Sequence, residues 1–419
     1  MRLVYIHQHF CTPRGSSGTR SYDVSHHLAE MGHEVTMVCG VLDVGGFEKP
    51  PWYKPFRKYR MDGFDVIVCN VAYSNYQGYW GRMWAFLWFA FLATFAALMV
   101  GKPDLIFATH TPLTVGIPGY IASRIRNVPF VFEVRDIWPE GWITIGLATE
   151  KSVSIRMMAV LESFLYKHAA KILLVSKGFE DRLIERGYPQ EKLGTILLGA
   201  DGDLFRRLNP NEEFRRRYDL ENKTVAVYTG AHGWGNGLDY ILDAADCLRS
   251  RDNIVFMMIG EGREKPRLKQ RAEEMKLSNV RFIDSVSKTE LPSILAVCNI
   301  GLMLLRNVGR KRLVTPNKIF DYMFTGLPTI VNFDGTTIEM VRNDQTGTFA
   351  DPNKPENLAD KVVYWADHPE EAKAIGSRAR EIAYAKYDRR RIAKQLSDTF
   401  EQACEQYKTG KVSGRQQDL

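Results

Sequence analysis

Short apolar runs alternate with segments of helical period along most of the chain, and the order of these elements repeats once. Residues 2–6 read as a buried strand, followed by the polar loop His7–Arg20, a helix to about Met31 and a second strand in GHEVTMVCG. Strand, glycine-containing loop, helix, strand is the opening of a Rossmann-like half. GFDVIVCNV, KPDLIFATH, VPFVFEV and KILLVS supply further strands, and 151–170 and Lys177–Gly187 read as helices. The pattern restarts at TVAVYTG with the glycine cluster AHGWGNG and the helix LDYILDAADCL. The strands NIVFMMIG, NVRFID, NIGLMLL and TIVNF follow, then helical period over 371–407.

Two segments break the ordinary pattern. Met83–Val100 is eighteen residues without a charge, flanked by Tyr79, Trp80, Arg82 and Lys102. Its length meets that of a membrane span. The strands on either side belong to one sheet, however, and a single crossing would put them on opposite sides of a bilayer. Six aromatics around its circumference fit a wholly buried helix poorly, so the expectation is a helix partly sunk in one leaflet, with a buried helix or oligomer interface as the alternative. The loop 47–60, rich in Pro, Trp, Tyr, Lys and Arg, suits a membrane interface. The other segment is Pro316–Pro328, PNKIFDYMFTGLP. Pro316 suits the first helical turn, Gly326 a helix end, and Pro328 bars continuation. Asn317 and Lys318 then stand at a helix N-terminus, an anion site, with Asp321 one turn on to accept hydrogen bonds from sugar hydroxyls.

Composition narrows the classes. At 419 residues, 45% hydrophobic and 25% charged, the chain suits two globular domains. A net charge of +7 without the basic–aromatic pattern of a nucleic-acid module points to anionic small molecules or a membrane surface. Six scattered cysteines form no C-x-x-C pair, which argues against a disulfide framework or zinc site and suits a reducing cytoplasm. The N-terminus lacks the layout of a signal peptide.

Chemistry-bearing residues collect where strands end. His110 follows one apolar strand; Arg135, Asp136, Trp138 and Glu140 follow another, where ligands sit in open α/β sheets. Gly18 and Arg20 close the first loop, which either admits a phosphate or acceptor group or is a surface loop. Gly230, Gly233, Gly235 and Gly237 let backbone amides crowd a diphosphate, and Gly260 and Gly262 make a tight turn before Lys265.

Taken together, P-N-K-x-x-D-Y-M-x-x-G-x-P, the G-x-x-G…G-L-D segment at 230–239, Lys265 and R-D-I-W-P-E at 135–140 resemble glycosyltransferase family 4. The R-D-I-W-P-E stretch resembles its branch of O-antigen N-acetylfucosaminyl (L-FucNAc) transferases. The resemblance implies an α/β fold of the GT-B kind, two Rossmann-like domains facing across a cleft. It divides the chain into an acceptor-side domain 1–205 carrying the helix 83–100, a nucleotide-sugar domain 206–390, and a helix and tail 391–419 crossing back to brace the first domain. It implies retaining transfer of an N-acetylated amino sugar from a UDP-sugar to a polyprenyl-diphosphate-linked saccharide at the cytoplasmic face of the inner membrane, with no metal or other cofactor.

On the same resemblance Asp321 takes the ribose of the nucleotide, Asp284 lies beside its base, and Lys265 and Lys318 hold its phosphates with Gly230, Gly233, Gly237, Gly262, Pro316 and Asn317. Arg135, Asp136, Glu140 and His110 serve the acceptor and the reacting sugar, with Asp136 orienting a hydroxyl or taking its proton and Glu140 in reserve. The basic segment 306–315 is expected to be a mobile loop over the donor. This chain departs from the family pattern in three places: Asp321 replaces the usual Glu, Leu313 stands where a second acid is expected, and His232 and Asn236 replace an Arg and a Lys. A nucleotide-sugar epimerase of the GT-B type and a catalytically idle partner of a polysaccharide assembly complex are the alternatives.

Overall fold

The computed structural model describes residues 1–42, 48, 50–74, 77–144, 149, 151–206, 208–308 and 313–410; for 142 and 144 it describes the backbone. Expectations for residues 47 and 49 of the interfacial loop, 309–312 of the basic segment and 411–419 of the tail lie outside the described residues.

The chain divides into two units, one formed by Met1–Leu197 with Arg389–Leu419 and one by Leu198–Asp388. The first carries an eight-stranded sheet: β1 (Arg2–Ile6), β2 (Glu34–Leu42), β3 (Phe56–Met61), β4 (Phe64–Tyr73), β5 (Leu105–Thr109), β6 (Phe130–Val134), β7 (Lys171–Leu174) and β8 (Leu193–Thr195). Their order is β3-β4-β2-β1-β5-β6-β7-β8, parallel except for the antiparallel edge strand β3. The near-continuous apolar runs of β1, β5 and β6 are those of strands covered on both faces. Helix α1 (Arg20–Glu30) connects β1 to β2, and α2 (Tyr79–Met99) connects β4 to β5. After β5 comes α3 (Gly116–Arg126); after β6 come α4 (Glu140–Thr144) and α5 (Val153–His168).

The C-terminal helix Arg389–Lys408 packs on α1 and completes this unit. Its Ile392, Leu396 and Phe400 enter the core formed by Leu3, Val24, Leu28, Met37 and Phe64. Phe400 meets Phe107 with ring centroids 4.9 Å apart. Each such side chain contributes about 1.5–3 kcal/mol when fully buried. Arg389 and Asp23, both buried, form an ion pair that Thr19 also joins.

Helix α2 begins four residues before the expected 83–100 segment and ends one residue short of it, at Met99. Phe89, Ala93, Ala96 and Ala97 are buried, while Trp80, Trp84, Leu87, Phe91, Phe95 and Met99 are exposed along one stripe. Because β4 and β5 lie in one continuous sheet, α2 is a crossover connection over that sheet.

The second unit is a parallel six-stranded sheet, β9 (Thr224–Thr229), β10 (Ile254–Ile259), β11 (Val280–Ile283), β12 (Ile300–Met303), β13 (Thr329–Val331) and β14 (Gly347–Phe349). Its order is β11-β10-β9-β12-β13-β14. The helices Asp239–Cys247 and Pro355–Asp367 pack together in its core around Trp365. The unit begins at Leu198 rather than near 205. Ala200 bridges to Asp388, and Tyr384 donates to the Gly202 carbonyl, so 198–205 belongs with the helices that close the second unit.

Candidate functional site

In the first unit the site grows from the C-terminal ends of three adjacent strands, β1, β5 and β6. His7 and His9 follow β1, His110 follows β5, and Arg135 and Asp136 follow β6. Beneath them lies a buried polar network. Glu133 Oε1 accepts from Arg20 Nε at 3.1 Å and Nη2 at 2.7 Å; its Oε2 accepts from Arg135 Nε at 2.9 Å and Thr109 Oγ1 at 3.0 Å. Arg135 Nη2 reaches Ser21 Oγ at 3.0 Å, which also meets His7 Nδ1 at 2.9 Å and accepts from Tyr5 at 3.0 Å. Burial alone would raise the Glu133 carboxyl, but the two guanidiniums outweigh it and hold it at about 2. The same arrangement fixes Arg135 as a cation at the lip of the network, its side chain 17% exposed.

This corrects the expectation for Arg20. It is 1% exposed, spends its guanidinium on Glu133 and the Leu197 carbonyl, and does not face a phosphate or acceptor. Gly18 lies exposed in the loop before α1. Glu140 opens α4 and is engaged by Arg182 at 2.8 Å. Asp136 is half-buried directly after Arg135. His110 is buried with its ring edge-on to Trp138, centroids 5.1 Å apart. Burial first, then the Arg135 charge, lowers it to about 3, and His9 falls to about 4 for the same reasons. Among the described residues neither His110 ring nitrogen has a hydrogen-bond partner. A neutral imidazole with both nitrogens unengaged beside a fixed cation suits a polar, hydroxyl-bearing ligand.

In the second unit the site is built by two loops and a helix start. The β9–β10 ladder continues beyond the strands: Gly230 N donates to the Ile259 carbonyl, His232 N to Glu261, and Glu264 N to His232. The chains are so close that a Cβ on Gly260 would lie 2.0 Å from the Gly230 carbonyl, and one on Gly262 2.4 Å from that of His232. Both glycines also hold positive φ. The helix Lys318–Thr325 points its first residue at this contact, and its Tyr322 hydroxyl pins it by accepting from Thr229 N at 2.9 Å. Lys318 Nζ lies 3.7 Å from the Tyr228 ring centroid, beside Gly230. Burial outweighs the nearby Asp321 and lowers Lys318 to about 7.

Around it the described residues leave four buried polar atoms unpartnered, both ring nitrogens of His232, Thr315 Oγ1 and Asn317 Oδ1. His232 is lowered to about 4 by burial and then by Lys265 and Lys318. A desolvated ammonium beside unpaired hydrogen-bonding groups at a helix N-terminus is a receptor for an anion.

Lys265 is a second correction. Its Nζ donates to Glu261 Oε1 and Asp284 Oδ1, each at 2.6 Å, and to the Ile283 carbonyl at 3.1 Å. All three donors are spent and two carboxylates offset the charge, so it ties the loop to the end of β11 instead of holding phosphate. Asp284 is correspondingly the exposed partner of Lys265. Gly237 answers to packing as well: a Cβ there would meet Arg306 Cα at 2.8 Å, where Arg306 N donates to the Gly235 carbonyl. Gly233 has ordinary φ and ample room, while Pro316 is half-buried just ahead of Asn317. Asp321 carries a partner that sequence reasoning missed, Lys288, at 2.6 Å with both side chains buried. The other missed residues are Glu133, His7, His9 and Tyr228. A carboxylate inside the apolar run FVFEV was the available signal, since a buried charge requires a partner.

Among the described residues, His26, His27 and Glu30 at the end of α1 bring metal-ligating atoms within 4.8 Å of one another. Arg390 approaches Glu30 to 3.4 Å and competes for that carboxylate.

Residues 15–199 match the family model described as a glycosyl transferase 4-like domain, and residues 210–382 match that of glycosyl transferases group 1. This chain belongs to glycosyltransferase family 4. The family 4 chain is 23% identical over 326 residues to WcaI of Escherichia coli K12, named as a colanic acid biosynthesis glycosyl transferase, covering 74% of this chain and 78% of that one. It is 26% identical over 313 residues to a GDP-mannose-dependent alpha-(1-6)-phosphatidylinositol monomannoside mannosyltransferase of Mycobacterium tuberculosis, covering 68% and 81%. Among solved structures it resembles HepE of Anabaena in complex with UDP and glucose, with TM-score 0.71 and 19% identity over 96% of this chain and 99% of that one. The fold of this glycosyltransferase is GT-B.

Proposed function

We propose that this glycosyltransferase moves a sugar, with retention of configuration, from a UDP-linked donor to a polyprenyl-diphosphate-linked saccharide at the cytoplasmic face of the inner membrane, in surface-polysaccharide assembly. An N-acetylated amino sugar such as L-FucNAc is the donor class favoured by R-D-I-W-P-E at 135–140. The observation that carries the reading is the receptor around Lys318, a desolvated ammonium over Tyr228 with the His232 ring nitrogens, Thr315 Oγ1 and Asn317 Oδ1 unpartnered beside it among the described residues. Breaking a bond to a nucleotide diphosphate puts negative charge on the leaving phosphate oxygen. A desolvated cation fixed at that position stabilises it without reorganisation. Arg135, held by Glu133, and neutral His110 are the groups proposed to meet the sugar and the acceptor hydroxyl, with Asp136 beside them to orient that hydroxyl. No step is assigned to a metal. UDP is favoured by HepE, solved with UDP and glucose; the polysaccharide setting is favoured by the name of WcaI.

The test is a thermal-shift screen against UDP, GDP, dTDP and ADP. A nucleotide at a hundred times its dissociation constant adds about 2.7 kcal/mol of stability. The expected result is a UDP response that weakens in Asp321→Ala. A GDP response alone would move the donor to the class named for the mycobacterial relative and overturn the UDP assignment. Silence from all four in folded protein would overturn the nucleotide site itself.

A further inference from the structure

Helix α5 carries a surface that the candidate sites leave unused. The helix predicted over 151–170 is α5 (Val153–His168). Its inward face is Ile155, Leu165 and Tyr166, together with Glu162. Its outward face is also apolar: Val153, Met157, Val160 and Phe164 are exposed, Val153 and Val160 by 71% each. These positions recur at helical spacing, so they form one stripe along the helix. α3 packs against both α2 and α5, and Tyr120 of α3 meets Phe164 with centroids 4.9 Å apart. The α5 stripe therefore belongs to the same helical layer as the exposed aromatic stripe of α2.

The charges of this layer are one-sided. Across α2, α3 and α5 the single acidic residue is Glu162, which is buried and held by both terminal nitrogens of Arg186. The cations Arg124, Arg126, Arg156 and Lys167 are all exposed. An apolar surface rimmed by cations, with its one carboxylate withdrawn, complements an anionic lipid surface. The face of a second copy would need no such bias.

We infer that α5 is a second lipid-contacting element, so that α2 and α5 together seat the first unit on an anionic leaflet. Aromatic stripes on α2 and aliphatic ones on α5 lie among acyl chains, and the arginines and lysines reach the headgroups along their own stems. This deepens the membrane-surface reading proposed above and rests on it.

The experiment is co-sedimentation of the full chain with vesicles of phosphatidylglycerol and phosphatidylcholine, against vesicles of phosphatidylcholine alone. The variants are Met157→Asp with Val160→Asp on α5 and Trp84→Asp on α2, all at exposed positions. An unchanged thermal midpoint in each variant establishes that the fold is intact. The expected result is stronger binding of the parent chain to the anionic vesicles, with each variant lowering that binding at least tenfold. A Trp84→Asp chain that detaches while the α5 variant binds like the parent overturns the role of α5 and leaves membrane seating in place. An α5 variant that binds vesicles normally but turns a dimer into a monomer in light scattering makes the occupant a second copy, which also overturns it. A parent chain that binds neither vesicle overturns both readings.

Discussion

Lys318 is unusual because, among the described residues, no carboxylate forms an ion pair with it. The nearest carboxylate on its helix, Asp321, is engaged by Lys288, and burial brings the ammonium down to about 7. A bound diphosphate restores the charge, so the residue titrates higher in the complex than in the free protein. Above pH 7 binding must therefore take up a proton, and affinity falls by up to about tenfold per pH unit. Below pH 7 the residue is already charged and this slope vanishes. Calorimetry with UDP at pH 6.5, 7.5 and 8.5 reads the slope directly. Lys318→Met should weaken binding and flatten the profile; a slope that survives the substitution would assign the titration to another group. Sequence placed Lys318 correctly at a helix start, because Pro316, Gly326 and Pro328 are local punctuation. It failed for Lys265 and Arg20, because a cation beside a glycine loop looks the same whether its partner is a ligand or a carboxylate distant in sequence. Glu133 lies over a hundred positions from Arg20, and no local pattern records that pairing.

At the scale of elements, most strands and most helices were legible from apolar runs, since parallel strands covered on both faces announce themselves; the edge strands β3, which begins inside the loop expected over 47–60, and β14 were not. The glycine clusters were only half legible. Composition marks a loop as permissive without saying whether the space beside it is for a ligand or for another stretch of backbone. The two cases separate by substitution. Gly260→Ala drives a methyl to 2.0 Å from the Gly230 carbonyl at a φ of +143°, whereas a Cβ on Gly235 meets nothing within 4 Å. Gly260→Ala is expected to weaken UDP binding at least tenfold and to lower the thermal midpoint by several degrees; Gly235→Ala is expected to change neither appreciably. Equal behaviour of the two variants in a paired thermal-shift titration would contradict the packing described for these loops. Helix α2 was legible as an odd helix, while the apolar outer face of α5 was not. Its apolar positions all fit an ordinary amphipathic pattern until the buried ones are known.

On the scale of the whole molecule, the two units differ in how they are cut from the chain. The second is continuous from Leu198 to Asp388; the first needs the segment from Arg389 onward. Removing residues 389–419 takes Ile392, Leu396 and Phe400 out of the first core, a loss of about 1.5–3 kcal/mol for each, and strips Asp23 of its arginine. The truncated chain is expected to be cleaved by protease throughout residues 1–197 while 198–388 persists as a resistant fragment, read by mass spectrometry. Equal resistance of both segments would show that the helix is dispensable. The arrangement also sets an order of events during synthesis. As the chain leaves the ribosome, the first sheet emerges early but lacks the helix that covers Val24, Leu28 and Phe107. Every residue of the second unit is translated before that helix appears. The part made first is therefore the part finished last, and a chain stalled before its final helix exposes the apolar core of its oldest segment to the folding machinery of the cell.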